Sequence, residues 1–413
     1  MRLSTNQIFD QGVKSILDTQ ARLTKAQDRV TNQTKLLTPS DDPAATAQVM
    51  RLNERIALTK QYETNGTILA NHLNTEEVAM NSIKIAMDRA KVLVIQAGNG
   101  SLADDNRVGL AFEIASIRDE IFDTMNTKNA NGDFIFAGFQ SNVQPFTFDA
   151  VNNKYDYNGD EGELKLQVST SVKLSAGDNG KTLFEDVDAR LNVQNVAVAA
   201  GAATGATSSI ESQSRFDSFH ESNYDKLVPA NNNYNIVLAA GAPNTYEVQR
   251  NGASLVPAET GTFIEGNPIK FNGLHIKPQG TGVAPGTINF ELAAPEKINI
   301  ATTLNNIFDA LNVGGGFTLE FQSALKDATN QITASAAQVA MTQSSLGGRL
   351  NVVESVLASN LEINHANQKT RSDLAEVDYA EAVTELMKEE SALEAAQATF
   401  GRVSRLSLFD FIR

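Results

Sequence analysis

The four histidines are the residues best suited to chemistry. His72, His220, His275 and His365 stand far apart in the sequence and share no metal-ligand spacing. His72 falls beside the apolar stripe of a long helix and His275 on an expected strand, so each reads as structural or solvent-facing. Asp156-x-Asn158-x-Asp160 opens like a calcium loop. However, Glu161 stands where the sixth-position glycine belongs, and Gln167 where the twelfth-position glutamate belongs. The segment reads as a β-turn. The stretch from Gly201 to Gly205 lacks the lysine of a P-loop, and Gly314-Gly315-Gly316 opens no phosphate-binding helix after a strand. Neither G-x-S-x-G nor H-E-x-x-H occurs. Carboxylates are abundant, but nothing in the sequence selects a pair for acid–base work. No catalytic, cofactor-binding or metal-binding residue is assigned, and no enzyme activity is expected.

Composition narrows the partners. The 413 residues carry a formal charge of −15, which argues against nucleic acid, since phosphate binding needs a basic face. It argues more weakly against an anionic membrane surface. With no cysteine there are no disulfides, no thiol catalysis and no thiolate metal ligands. Met1-Arg2-Leu3-Ser4-Thr5-Asn6 lacks the apolar stretch of a cleaved signal peptide, and no window approaches 18 consecutive apolar residues. Neither a signal peptide nor a transmembrane helix is expected.

The elements fall into three zones. Two of the ten prolines, Pro39 and Pro43, lie in the first third; the other eight lie between residues 131 and 300. In the N-terminal zone Phe9, Ile16, Leu23, Val30 and Leu37 fall seven apart, one seam of a heptad. The complementary seam is poor: Gln20, Gln27 and Thr34 follow Val13. So narrow a stripe suits a shared, partly wet helix interface, or an ordinary amphipathic helix. Pro39-Ser40-Asp41-Asp42-Pro43 ends this helix and starts another, with Ser40, Asp41 or Asp42 as N-cap and Pro43 in the first turn. The next helix keeps an alternation of three and four from Ala45 through Leu69, Leu73, Glu76, Met80, Ile83 and Met87 to Val94, and breaks at Gly98-Asn99-Gly100. A third spans about 104–128. The C-terminal zone mirrors this. One stripe runs Phe321, Leu325, Ala328, Ile332, Ala336 and Val339, and Leu346, Leu350, Val353, Leu357 and Leu361 continue it past Gly347-Gly348. Another runs Tyr379, Val383, Leu386, Leu393, Phe400, Val403 and Leu406. The middle reads as β, with strands expected at 134–138, 164–168, 234–238, 245–248, 269–276 and 287–292. The Ala/Gly/Thr-rich stretch 196–209 reads as a loop or linker.

Five stretches carry a family resemblance: Arg2-Leu3-Ser4-Thr5-Asn6-Gln7; Pro39-Ser40-Asp41-Asp42-Pro43-Ala44-Ala45; Phe136-Ala137-Gly138 with Pro145-Phe146 and Tyr157-Asn158-Gly159-Asp160-Glu161-Gly162; Asp373 to Ala382; and Leu406-Ser407-Leu408-Phe409-Asp410-Phe411-Ile412. Together they resemble the flagellar hook-associated protein 3 family, within the flagellin superfamily. The resemblance covers about the first 185 and last 100 residues. One departure is Gln33, where the family typically has glycine just before the turn.

The resemblance implies a mainly α fold with inserted β. Residues 1–44 and 372–413 would pair as a terminal coiled coil. Residues 45–183 and 301–371 would form an elongated helical domain with a β-hairpin, and 184–300 an outer β-rich domain. It implies a ring of copies between hook-associated protein 1 and flagellin, in the extracellular flagellum. It also implies export without a cleaved signal peptide and a cytoplasmic chaperone on the C-terminal helix. The assembly interface is expected to use Phe9, Ile16, Leu23, Val30, Leu37, Leu393, Phe400, Val403, Leu406 and Phe409. A flagellin filament subunit is the alternative within the superfamily. Outside it stand a cytoplasmic coiled-coil scaffold and a glycan-binding protein acting through the middle domain.

Overall fold

The computed structural model describes residues 5–313 and 318–411; the side chains of 5, 6, 8, 319, 320 and 403–411 lie outside that description. Seven α-helices and twelve β-strands are described. The helices are α1 (Thr5–Asn32), α2 (Pro43–Ala97), α3 (Asp104–Met125), α4 (Gln213–Asn223), α5 (Ile300–Asn312), α6 (Leu319–Ala375) and α7 (Tyr379–Phe411). Two compact units share them. One holds residues up to Ile68, Leu166–Leu174 and Asn351 onward; the other holds Leu69–Lys165 and Ser175–Leu350.

The expected alternation of α2 is its buried seam: Leu69, Leu73, Glu76, Met80, Ile83, Met87, Ala90 and Val94 are all buried. The helix ends at Ala97, ahead of Gly98. Along α6, Leu325, Ala328, Ile332, Val339 and Leu346 are buried, and the helix runs unbroken through Gly347 and Gly348.

In the second unit a five-stranded antiparallel sheet has the order β5-β12-β7-β8-β9. Its members are β5 (Val193–Gly201), β7 (Asn233–Ala239), β8 (Asn244–Arg250), β9 (Ala253–Phe263) and β12 (Gly286–Leu292). A three-stranded sheet orders β10 (Ile269–Phe271), β11 (Leu274–Gln279) and β6 (Gly205–Ile210). Period-two alternation buries Tyr234, Ile236 and Leu238 against Phe290, Phe271 and the Phe216 of α4 in one apolar core. Two short hairpins complete the β content, β1 (Phe146–Asp149) with β2 (Lys154–Tyr157), and β3 (Lys165–Gln167) with β4 (Lys173–Ser175).

Three sequence expectations are corrected. Residues 134–138 form no strand: Phe134 makes one isolated bridge with Lys128, and turns follow. The hydrogen bonds of this segment go to separate neighbours, Gly180 N–H to the Phe136 carbonyl and Asp160 N–H to the Ala137 carbonyl, so no ladder forms. Residues 196–209 are not a linker but lie mostly in β5 and β6, whose small residues gain their ladders from β12 and β11. The expected strand 269–276 divides into β10 and β11 at Asn272 and Gly273, with φ of 43° and 81°. Two adjacent left-handed residues with Asn before Gly make the tight hairpin turn that matches strand twist.

Candidate assembly site on the paired terminal helices

Helices α1 and α7 run antiparallel in the first unit. Arg22 pairs with Glu389 at 3.1 Å and Arg29 with Glu385 at 3.3 Å, while the rings of Phe9 and Phe400 lie 5.1 Å apart. As residue numbers rise on α1, partner numbers fall on α7. At Gly12 the helices come so close that a β-carbon would meet the Phe400 ring at 2.6 Å. Sequence reading missed both ion pairs, since no spacing links residues more than 350 positions apart.

The seam between these helices is only partly covered. Ile16, Leu23, Val30, Leu37, Leu393 and Phe400 are half-buried, and Phe9 is 52% exposed. The deeply buried contacts are small, Thr19, Ala26 and Ala382. Val403, Leu406 and Phe409 lie on the last turns of α7, and their side chains fall outside the described residues. A helix pair this thinly covered draws little from apolar burial, which scales with the area removed from water.

The turn after α1 is fixed by hydrogen bonds. The Asp42 carboxylate accepts from the Ala44 and Ala45 N–H groups at 3.0 and 2.9 Å, which makes Asp42 the N-cap of α2 and Pro43 its first residue. Such a cap contributes about 1 kcal/mol. Asp41 serves the turn itself, accepting from the Thr38 N–H at 3.0 Å and pairing with Lys25. Lys25 and that N–H hold the Asp41 carboxyl down to about 2. Pro39 and Ser40 are exposed in the same turn, where the Ser40 hydroxyl lies 2.9 Å from that of Thr38.

Gln33 closes α1 in the left-handed region, with φ of 51°. Just beyond it the chain bridges to the segment between α6 and α7. Lys35 N–H donates to the Ala375 carbonyl at 2.9 Å, and Val377 N–H to the Gln33 carbonyl at 3.3 Å. A left-handed residue after a helix is the position glycine fills without strain. Replacing Gln33 by glycine is therefore expected to stabilise this unit by about 0.5–1 kcal/mol, the relief of strain outweighing the freer unfolded chain. A shift of the urea midpoint to higher concentration checks it; a lower midpoint contradicts it.

A second cluster lies in the other unit. Glu76, only 1% exposed, accepts the Asp178 N–H at 2.9 Å through Oε1, while its Oε2 has no partner. Arg349 donates to the Asp178 carboxylate and, at 3.4 Å, to the Ser175 carbonyl. Burial, with the nearby Asp178 charge adding to it, pushes the Glu76 carboxyl up to about 8. Elsewhere in this unit His220 is buried, with Nε2 2.7 Å from the Ala293 carbonyl, and lines an open cleft of about 560 Å³ with Asp217 and Glu221. Among the described residues no three His, Asp or Glu side chains converge to hold a metal, and no helix is long and apolar enough to cross a membrane.

Residues 3–141 match the model of the bacterial flagellin N-terminal helical region. The flagellar hook-associated protein 3 of Escherichia coli (strain K12) is 30% identical over 187 residues, covering 45% of this chain and 58% of that protein. The chain is similar, over these stretches, to members of the flagellin superfamily. Its similarity there is to hook-associated protein 3, and the matched stretch spans little more than half the length of those curated relatives. Two solved structures share the fold of much of this chain. The flagellar hook associated protein-3 of Legionella pneumophila aligns with a TM-score of 0.60 and 23% identity, over 79% of this chain and 99% of that one. FlgL of Xanthomonas campestris aligns at 0.57 and 22%, over 77% and 98%.

Proposed function

We propose that this chain is a structural subunit of the bacterial flagellum, the junction protein that forms a ring between hook-associated protein 1 and the flagellin filament and so gives the filament its starting surface. The observation that carries the proposal is the α1–α7 pair. Its apolar seam is incompletely covered within one chain, with Phe9 52% exposed. Such a seam suits ends that complete their packing against other copies, ordering and association being coupled. The similarity to hook-associated protein 3 favours a junction subunit over a filament flagellin.

Several finer elements belong to the same proposal. The interface uses Phe9, Ile16, Leu23, Val30, Leu37, Leu393, Phe400, Val403, Leu406 and Phe409. The terminal segments 1–44 and 372–413 act as one assembly module, 45–183 with 301–371 as the helical body, and 184–300 as an outward domain. The chain works by assembly rather than catalysis. It is exported without a cleaved signal peptide, with a chaperone on α7 before export, and functions outside the cell.

Limited proteolysis of the purified monomer tests the coupling. The terminal segments are expected to be cleaved first, leaving a resistant middle, and to become protected when the chain is incorporated into flagella. Ends as resistant as the middle in the monomer would overturn it.

A further inference from the structure

One carboxyl of the second unit is left incomplete by its own chain. Glu76 on α2 is 1% exposed, and its Oε1 accepts the Asp178 N–H at 2.9 Å, while Oε2 has no partner among the described residues. A buried polar atom without a partner is rare in a folded chain and calls for a reason. Its surroundings suggest one. Glu76 lines a recess of about 130 Å³, walled otherwise by residues of the segments 129–141 and 162–178 and by His72.

One point beside that recess is well defined. A β-carbon built on Gly177 would stand 3.6 Å from the Glu76 Oε2 and 3.6 Å from the Ile135 carbonyl oxygen. Apart from the residues flanking Gly177, no other described atom lies within 4 Å of it. Two oxygens therefore face one open space. The charge of the walls sets what kind of donor belongs there. Asp133 and Asp178 line the recess with Glu76, and among the described residues no lysine or arginine does. Arg349 pairs with Asp178, whereas Asp133 is held by the Ser141 hydroxyl at 3.2 Å and the Asn129 amide at 3.4 Å.

No three carboxylates or imidazoles converge among the described residues, so a metal ion lacks its ligand set. An ammonium group asks less, since it brings three N–H donors and needs one counter-charge. Phe134, Leu164 and Ala176 offer apolar wall to a methylene stem. Phe134 already receives an ammonium: the Lys128 Nζ lies 4.5 Å from its ring centroid, though Lys128 does not line the recess. The volume takes the end of a lysine side chain and is well below the roughly 300–1,000 Å³ of a drug-sized site.

We propose that this recess binds a primary ammonium on an aliphatic stem, a lysine side chain of another chain or a free alkylamine, with the Glu76 carboxylate as counter-ion. Binding is also a proton exchange. Burial and the Asp178 charge keep Glu76 protonated up to about pH 8, while an alkylammonium stays charged to about pH 10. As the ammonium enters, the carboxyl releases its proton to water, and the charge of the recess is unchanged. The other titratable or charged groups around it are His72 of α2, Asp133, Asp178 and Arg349 of α6. The apparent affinity should therefore rise about tenfold per pH unit below 8 and level off above it.

The purified full chain is titrated with n-butylammonium and with Nα-acetyl-lysine methylamide from pH 6 to pH 9, binding being followed by saturation-transfer NMR. Binding of both compounds, with this pH dependence, assigns a lysine side chain; binding of n-butylammonium alone assigns a free alkylamine. Failure of both to bind, affinity that is flat with pH, or equal binding of uncharged 1-butanol overturns the proposal. Gly177→Ala places a methyl group in the space itself. Its 3.6 Å contacts are ordinary and residue 177 is not left-handed, so the chain should fold as the parent does while affinity falls about tenfold or more. Unchanged affinity in that variant, or an unchanged pH dependence in Glu76→Gln, also overturns the site. Because the monomer alone is measured, such a failure leaves the junction reading standing.

Discussion

A chain carrying Glu76→Gln is expected to be more stable than its parent by roughly 3–5 kcal/mol at pH 9, and nearly equal to it at pH 4. The reason is the carboxyl buried on α2, whose Oε1 holds the Asp178 N–H while Oε2 has no partner. At pH 4 the group is protonated in both folded and unfolded chains, and glutamine mimics that form. Above the ordinary value of 4.5 the unfolded chain releases the proton, while the folded chain holds it until about 8. The folded state then binds more protons, so parental stability falls as pH rises from 4.5 to 8 and is level beyond. The glutamine chain lacks this decline. Thermal melts of both chains at pH 4, 6 and 9 check it. Equal melting temperatures at pH 9 would show that Glu76 is not held as a buried acid.

The second large effect is expected at Arg349. Replacing it by methionine keeps the aliphatic packing but removes the cation paired with Asp178. The Arg349 and Asp178 side chains are 12% and 25% exposed, so the pair is largely sheltered from water. Breaking it should cost roughly 2–4 kcal/mol, mostly because the Asp178 charge is left without its partner. Arg349 also lowers the Glu76 carboxyl, so its loss pushes that group up further. The two substitutions should therefore be non-additive: in a Glu76→Gln background, Arg349→Met should cost about 1 kcal/mol less. A double-mutant cycle by urea denaturation at pH 8 measures this. Strict additivity would mean that the three groups do not act as a cluster.

The helices were legible because their signal is local. The three-and-four alternation of α2 marks the residues that are buried, and the proline–aspartate segment marks where α1 gives way to α2. That Asp42 is the cap, rather than Ser40 or Asp41, depends on which carboxylate reaches the Ala44 and Ala45 N–H groups. Helix α5 carried a readable signal that was missed: Asn299, which accepts from the Ala301 N–H, followed by Ile300, Leu304, Ile307 and Leu311 at helical spacing. The β region was harder, because strand formation depends on distant partners. Nothing within 196–209 announces β12 and β11 as neighbours, whereas the Asn272–Gly273 turn was visible as a dipeptide and was passed over. At the candidate site the heptad stripe identified the face of α1. It could not identify Arg22 and Arg29 as partners of Glu389 and Glu385, which only the antiparallel pairing brings together.

If this chain is, as proposed, the surface on which a filament starts, its loss should leave hooks without filaments. Deleting its gene and examining both cells and medium tests that most directly. Hooks are expected to persist, with filaments absent and flagellin released into the medium; full-length filaments, or loss of the hooks themselves, would overturn the proposed role.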